Sequence, residues 1–185
     1  MKKTYAMLIV AAMPLLGGCA AALIGGAVGT GVVVGNDRRT VGTVTEDQGI
    51  EIKASSRVGD RGHINYTSYN RIVLLTGEVP NQAAREDAER VTRGVENVRG
   101  VHNELQIAGN SALTSRTNDA YLTSKVKARF VDGGKFNPVH VKVVTENSVV
   151  YLLGLVNKAE AESATEVART TGGVQKVVRL FEYID

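Results

Sequence analysis

Asn70-Arg-Ile-Val-Leu-Leu-Thr-Gly-Glu-Val-Pro-Asn81 has a counterpart later in the chain, Asn147-Ser-Val-Val-Tyr-Leu-Leu-Gly-Leu-Val-Asn157. Each is an apolar strand that starts behind an Asn, reaches a Gly, and gives way to an Asn-started helix. Gly77 matches Gly154 at an offset of 77. After one deleted position at Pro80 the offset is 76, and Asn81, Ala83, Glu86, Ala88, Val91 and Arg93 fall on Asn157, Ala159, Glu162, Ala164, Val167 and Arg169. Past three inserted residues, Gly94-Val95 and Val98 meet Gly173-Val174 and Val177. A gapped register this consistent marks a tandem repeat of a unit of roughly 70 residues.

Working outward from these strands, each repeat reads as αββαβ. In the first, Thr45-x-x-Gln48 has the form of a capping box. Ile50, Ala54 and Val58 then recur on one helical face, and Gly59–Gly62 ends that helix. Ile64–Tyr69 and Ile72–Val79 read as a hairpin turning at Asn70-Arg71. Asn81 caps a second helix that Gly94 terminates, and Val98–Ile107 supplies the third strand. The second repeat matches: Asn118 as a cap, Leu122, Val126 and Phe130 as the helix stripe, Val139–Thr145 and Val149–Val156 as the hairpin, Asn157 opening a helix, and Val177–Ile184 as the last strand. An offset of 72 lays Ile50, Ala54 and Val58 on Leu122, Val126 and Phe130. A helical crossover returns the third strand parallel to the second. The expected class is therefore α+β: two tandem units, each a three-stranded mixed sheet covered on one face by two helices, with strand order left open. Units this short have small cores and modest stability. Gly77 and Gly154, where strand leads towards helix, are expected to show positive φ or close backbone approach.

The N-terminus is of a different kind. Met1-Lys-Lys-Thr-Tyr and the apolar residues 6–16 form a basic and then a hydrophobic region, as in a signal peptide. They end in Leu16-Gly17-Gly18-Cys19, which resembles the bacterial lipobox and holds the one cysteine of the chain. The alternative, a membrane span over residues 6–34, is disfavoured by seven glycines from Gly17 to Gly35. The expected organisation is a lipoprotein signal peptide at 1–18, a tether lipidated on Cys19 at 19–42, a first domain at 43–108, a linker at 109–116 and a second domain at 117–185. Ala20, in place of an Asp after the cysteine, favours delivery to the outer membrane. Removing Lys2 and Lys3 takes the formal charge from +3 to +3 − 2 = +1. With no Trp and 5% aromatic residues, neither the charge nor the ring content supports nucleic-acid binding.

Catalytic and metal chemistry find no foothold. His63, His102 and His140 stand at strand edges without ligand spacing to a second donor, and read as surface histidines. Glu86, Glu89, Glu160, Glu162 and Glu166 fit the solvated faces of amphipathic helices. Gly25-Gly26-x-x-Gly29 follows no strand, and Gly59-Asp-Arg-Gly62 joins a helix to a strand, so neither is a phosphate or RNA loop. No enzyme activity and no cofactor are expected, and a monomer in solution is.

Two αββαβ units with a Leu-Leu-x-Gly-x-Val signature, behind a lipobox and an apolar tether, resemble the dual BON-domain lipoproteins of the Gram-negative envelope. Asp37-Arg-Arg-Thr-Val-Gly42, Val143-Val-Thr-Glu-Asn147 and Leu153-Gly-Leu-Val156 are the most specific stretches. The resemblance implies an anchor in the inner leaflet of the outer membrane, facing the periplasm, binding to anionic phospholipid through the second unit, and a part in envelope integrity and division. Where the family has a Trp near the start of the second unit's first helix, this chain has Tyr121. With Leu122, Val126 and Phe130 turned to the sheet, helix geometry puts Tyr121, Ser124, Ala128 and Val131 on the opposite side. Lys125 and Lys127 flank them, an arrangement suited to anionic headgroups. The equivalent face of the first unit holds Gly49, Ile52, Ser56 and Gly59. The alternative function is an adaptor that recruits an envelope protein partner, with lipid serving only as anchor.

Overall fold

A computed structural model of the chain describes residues 37–109 and 113–184. Cys19 and the tether up to residue 36 lie outside the described residues. In the first repeat, α1 (Val41–Val58) leads to β1 (His63–Tyr69), β2 (Ile72–Val79), α2 (Gln82–Arg93), β3 (Gly100–Asn103) and β4 (Gln106–Ile107). In the second, α3 (Leu113–Gly133) leads through a 3₁₀ turn (Pro138–His140) to β5 (Val141–Glu146), β6 (Val149–Val156), α4 (Lys158–Arg169) and β7 (Lys176–Tyr183).

Strand order follows the chain. β2 is central in the first sheet, antiparallel to β1 and parallel to β3 and β4; β6 is central in the second, antiparallel to β5 and parallel to β7. The hairpin turns lie at Asn70-Arg71 (φ 49° and 66°) and Asn147-Ser148 (φ 48° and 61°). Two consecutive left-handed residues form the tight turn whose twist suits a two-residue hairpin. The alternation expected over Val98–Ile107 resolves into two short strands, because residues 104 and 105 leave the ladder.

Several helix starts differ from the sequence reading. Thr40, not Thr45, caps α1: its hydroxyl accepts from the Thr43 amide, and the Thr45 hydroxyl instead donates back to Val41 O. Thr45 therefore lies inside the helix. α3 begins at Leu113, so residues 113–116 are helical and Asn118 is not a cap. Asn81 and Asn157 do cap α2 and α4, the latter with a full capping box to Glu160. Gly77 and Gly154 lie two residues before their strands end rather than at the turn. Gly77 has φ 112°, and a Cβ there would collide with the His63 carbonyl oxygen. A Cβ at Gly154 would stand 2.5 Å from the His140 carbonyl oxygen.

Each repeat has its own core. Ile50, Ala54, Val58, Val73, Leu75 and Val79 gather in the first; Val126, Phe130, Val143, Val150, Leu152 and Val156 gather in the second. A third cluster joins them. Tyr69 and Leu74 pack with Tyr151 and Leu153 on the sheet faces away from the helices. That explains why Ile72–Val79 and Val149–Val156 read as near-continuous apolar runs: their sheets are covered on both faces. Arg38–Asp185 accordingly form one compact unit.

Polar contacts border the third core. Arg38 forks onto Glu160 at 2.6 and 2.9 Å and donates to Leu155 O at 2.7 Å. Lys142 bridges back to Glu51 at 3.1 Å, and Asn70 donates to Glu182 at 2.8 Å. Residues expected to belong to a tether thus help hold the second repeat.

Candidate functional site

α3 is placed by its inner face. Leu122, Val126 and Phe130 are buried, and Phe130 meets Phe136 edge-on at 5.0 Å. Gly173 (φ 104°) leaves room for Leu122, whose Cδ2 would lie 2.7 Å from a Cβ at that position. Thr123 ties α3 to β5 through Thr145 at 2.8 Å.

With that face fixed, Tyr121 is 61% exposed and Val131 is 67% exposed. Ser124, Lys127 and Ala128 are also exposed. Lys125 is half-buried: its ammonium donates to Gly172 O at 3.0 Å and sits 5.8 Å from the centre of the Tyr121 ring. Ser124 donates to Ala120 O. The six residues therefore lie along one helix, but the two lysines differ. Lys127 is a solvated charge, whereas Lys125 couples the ring of Tyr121 to the turn after α4. Arg129 reinforces that turn by donating to Val167 O and to the Thr171 hydroxyl.

The corresponding face of α1 carries Ile52 at 71% exposure, beside exposed Ser56 and Gly59. Val41 is exposed near its start. The first repeat therefore has its own apolar exposure, set among small polar residues and beside Lys53, whose ammonium is paired with Glu96 at 3.6 Å.

A pair of residues that the sequence reading passed over positions these helices. Asp47 is buried in α1 and accepts from the amides of Asn70 and Arg71, the Ser68 hydroxyl and Arg39, at 2.7–2.9 Å. Asp119 is buried in α3 and accepts from the amides of Asn147 and Ser148, each at 2.8 Å. Each carboxylate binds the two amides that its hairpin turn directs inward, fixing the first helix to the turn. The signal was available, since Asp47 and Asp119 stand at the same offset of 72 as the core stripes.

The histidines are less superficial than expected. His63 lies 3.3 Å from Glu78 and His140 lies 3.6 Å from Glu160, both with mostly buried rings; His102 is exposed. Among the described residues no group of three His, Cys, Asp or Glu side chains converges as a metal site. A cleft of about 470 Å³ between β1, α3 and β5 is lined by His63, Asn65, Arg116, Thr123, Thr145 and Glu146. Among the described residues no helix is long and apolar enough to cross a membrane.

Comparison with known proteins adds the lineage. The BON domain family matches residues 46–109 and 118–185. The chain is 36% identical to the outer membrane lipoprotein DolP of Haemophilus influenzae, over 96% of this chain and 95% of that one. It is 30% identical to the 21 kDa hemolysin of Actinobacillus pleuropneumoniae, over 80% and 79% of the two chains. It is also 30% identical to the osmotically-inducible protein Y of Escherichia coli, over 80% and 77%. Two family matches in tandem, on two copies of one αββαβ plan, place the chain in the BON-domain family, as a dual-BON member similar over nearly its whole length to an outer-membrane lipoprotein.

Proposed function

We propose that this chain is a lipid-anchored envelope protein on the periplasmic side of the outer membrane, which binds anionic phospholipid through the outer face of α3 and supports envelope integrity. The observation that carries the reading is the exposure of Tyr121 and Val131 on a helix face that has Lys127 at its edge. An aromatic ring and a branched aliphatic side chain partition into the boundary between headgroups and acyl chains, and a neighbouring lysine contributes roughly 1 kcal/mol near an anionic surface. Partial burial of the two apolar side chains adds ~1–3 kcal/mol. Such binding is weak in free solution. An acylated Cys19 holds the domain at high effective concentration by the bilayer, which makes weak contacts sufficient. The role is binding, with no catalytic step.

Because Arg38–Asp185 close into one compact unit, a soluble fragment of residues 36–185 tests the surface apart from the anchor. It should sediment with anionic but not zwitterionic liposomes, in a salt-sensitive way, and Tyr121→Glu or Val131→Asp should abolish this with the fold retained. Parent-like binding by both variants would sink the reading. For the anchor, Cys19→Ser should leave an unprocessed precursor and remove the mature protein from outer-membrane fractions; normal processing after residue 18 would refute lipidation.

A second reading, the protein adaptor, is favoured by one observation: Ile52 and Val41 leave an apolar exposure on the first repeat too. If Ile52→Asp weakens liposome binding more than Val131→Asp does, the membrane face lies on the other helix. If Ile52→Asp leaves liposome binding intact yet removes capture of an envelope protein, α1 is a protein-docking face.

A further inference from the structure

Glu78 in β2 and Glu146 at the end of β5 belong to different repeats, and they are only 2% and 6% exposed. Each is held by an amide of the other repeat. Asn65 donates to Glu146 at 2.8 Å, and Asn147 donates to Glu78 at 3.2 Å. The two carboxylates thus cross the boundary in opposite directions, beside the apolar cluster of Tyr69, Leu74, Tyr151 and Leu153.

Like charges in a low-dielectric interface repel more strongly than in water. The groups facing this pair come from both repeats. From the first sheet they are His63, at 3.3 Å from Glu78, and the Thr76 hydroxyl on Glu146. From α3 they are Asp119, already bound to two turn amides, and Arg116 on the cleft wall. From β6 comes Tyr151, itself faced by Glu104. Burial pushes the Glu146 carboxyl above the usual range, and the charges of Glu78 and Asp119 add to the effect against the hydrogen bonds from Asn65 and Thr76.

We propose that Glu78 and Glu146 form a proton-operated latch between the two repeats, closed when Glu146 is protonated and loosened when both carboxylates are ionised. The direction follows from linkage. The folded state binds the Glu146 proton more tightly than the unfolded chain does, so stability at this interface rises as pH falls through the raised value. Loosening separates the sheet edges β1 and β5, which line the cleft from opposite repeats, and admits water to the cluster behind them.

The test is amide hydrogen exchange on the full-length chain in detergent at pH 4.5 and 7.5, with rates corrected for intrinsic chemical exchange. Residues 63–69 and 141–148 should exchange about three- to tenfold more slowly at the lower pH, while residues 122–130 in the α3 core serve as the reporter of folding. In Glu146→Gln the pH difference should vanish and exchange should be slow at both values. A Glu146→Gln protein with a protected α3 core and the parent's pH difference overturns the latch, as does a parent difference of opposite sign. Should Glu146→Gln lose α3 protection, Glu78→Gln decides. With Glu78 neutral the pH difference should shrink, and an undiminished difference overturns the proposal.

Discussion

The two repeats share a backbone and differ in what they anchor and what they leave exposed. In the first, α1 carries an Asp47 that binds two turn amides, a hydroxyl and the Arg39 guanidinium, which in turn lies 3.9 Å over the Tyr69 ring. In the second, Asp119 binds the equivalent turn amides, and α3 directs Lys125 and Arg129 to another turn. Lys125 and Arg129 brace the turn after α4, where three residues are inserted relative to the first repeat. The lesson is that duplication preserved the contacts that define the fold, while the outer helix face was free to diverge.

The largest expected effect separates the two aspartates. Asp47→Ala removes the acceptor shared by two turn amides, a buried hydroxyl and the Arg39 guanidinium, a loss of about 3–5 kcal/mol. Asp119→Ala strands two amides and should cost about 2–3 kcal/mol. Denaturant midpoints of the two variants measure the difference. Equal losses would mean that the extra partners of Asp47 add nothing.

Next come the signature glycines. Val at Gly77 meets both a positive φ and the His63 carbonyl oxygen, whereas Val at Gly154 meets the His140 carbonyl oxygen and Val156 Cγ1 without a positive φ. Both should lower stability by about 1–3 kcal/mol, Gly77→Val the more. Unchanged thermal midpoints in both would remove the glycines from their place as pivot of the repeat.

Acid should then act on the contact between the repeats at Arg38. Hydrogen bonds from Arg38 bring the Glu160 carboxyl down to about 2, from an ordinary value of 4.5, despite an opposing contribution from burial. A depressed folded value stabilises above the ordinary glutamate range, and that contribution is lost as pH falls through the interval towards about 2. Since the pair is partly solvated, ~1–2 kcal/mol is expected. Arg38→Ala should remove this acid sensitivity and leave in place the opposite trend that Glu146 gives above the ordinary glutamate value. A stability profile of Arg38→Ala that parallels the parent between pH 5 and pH 2 would contradict it.

Much of this was legible before any coordinates. The apolar runs and Asn-Gly spacing fixed the hairpins and both second helices, because those signals are local. The stripes Ile50-Ala54-Val58 and Leu122-Val126-Phe130 named the inner faces, and by subtraction the outer face of α3, for the same reason. The helix starts were less legible: Thr45-x-x-Gln48 has the form of a capping box, yet Thr40 takes the cap because Arg38 and Arg39 are held by Glu160 and Asp47, partners distant in sequence or across a turn. The interface between the sheets was not legible at all as an interface. A strand buried on both faces by helices and one buried by helix and sheet read alike. Cross-repeat pairs such as Asn65 with Glu146 have no periodic signature. Lys125, read as a headgroup ligand, is turned towards Gly172 by an insertion whose geometry only the fold reveals.

The smallest expected effect on stability is also the one that most sharpens the contrast between the helices. Ile52 and Val131 are both about two-thirds or more exposed, at 71% and 67%, and each lies on the first helix of its repeat, away from the core. Replacing either by Asp removes no buried contact and should change stability within about 0.5 kcal/mol. Their consequences at a membrane should differ. Val131 shares its face with Tyr121 and has Lys127 beside it, so an added carboxylate both removes apolar contact and opposes the nearby positive charge. Ile52 is followed by Ser55 and Ser56, and its neighbour Lys53 pairs with Glu96 at 3.6 Å. The local field there is balanced, and a carboxylate at position 52 has no anionic surface to be repelled from. Paired measurements on fragment 36–185 should therefore show equal denaturant midpoints and unequal liposome binding, with loss confined to Val131→Asp. Equal loss of binding would mean that both helices touch the bilayer, and that the two repeats have diverged less in function than their surfaces indicate.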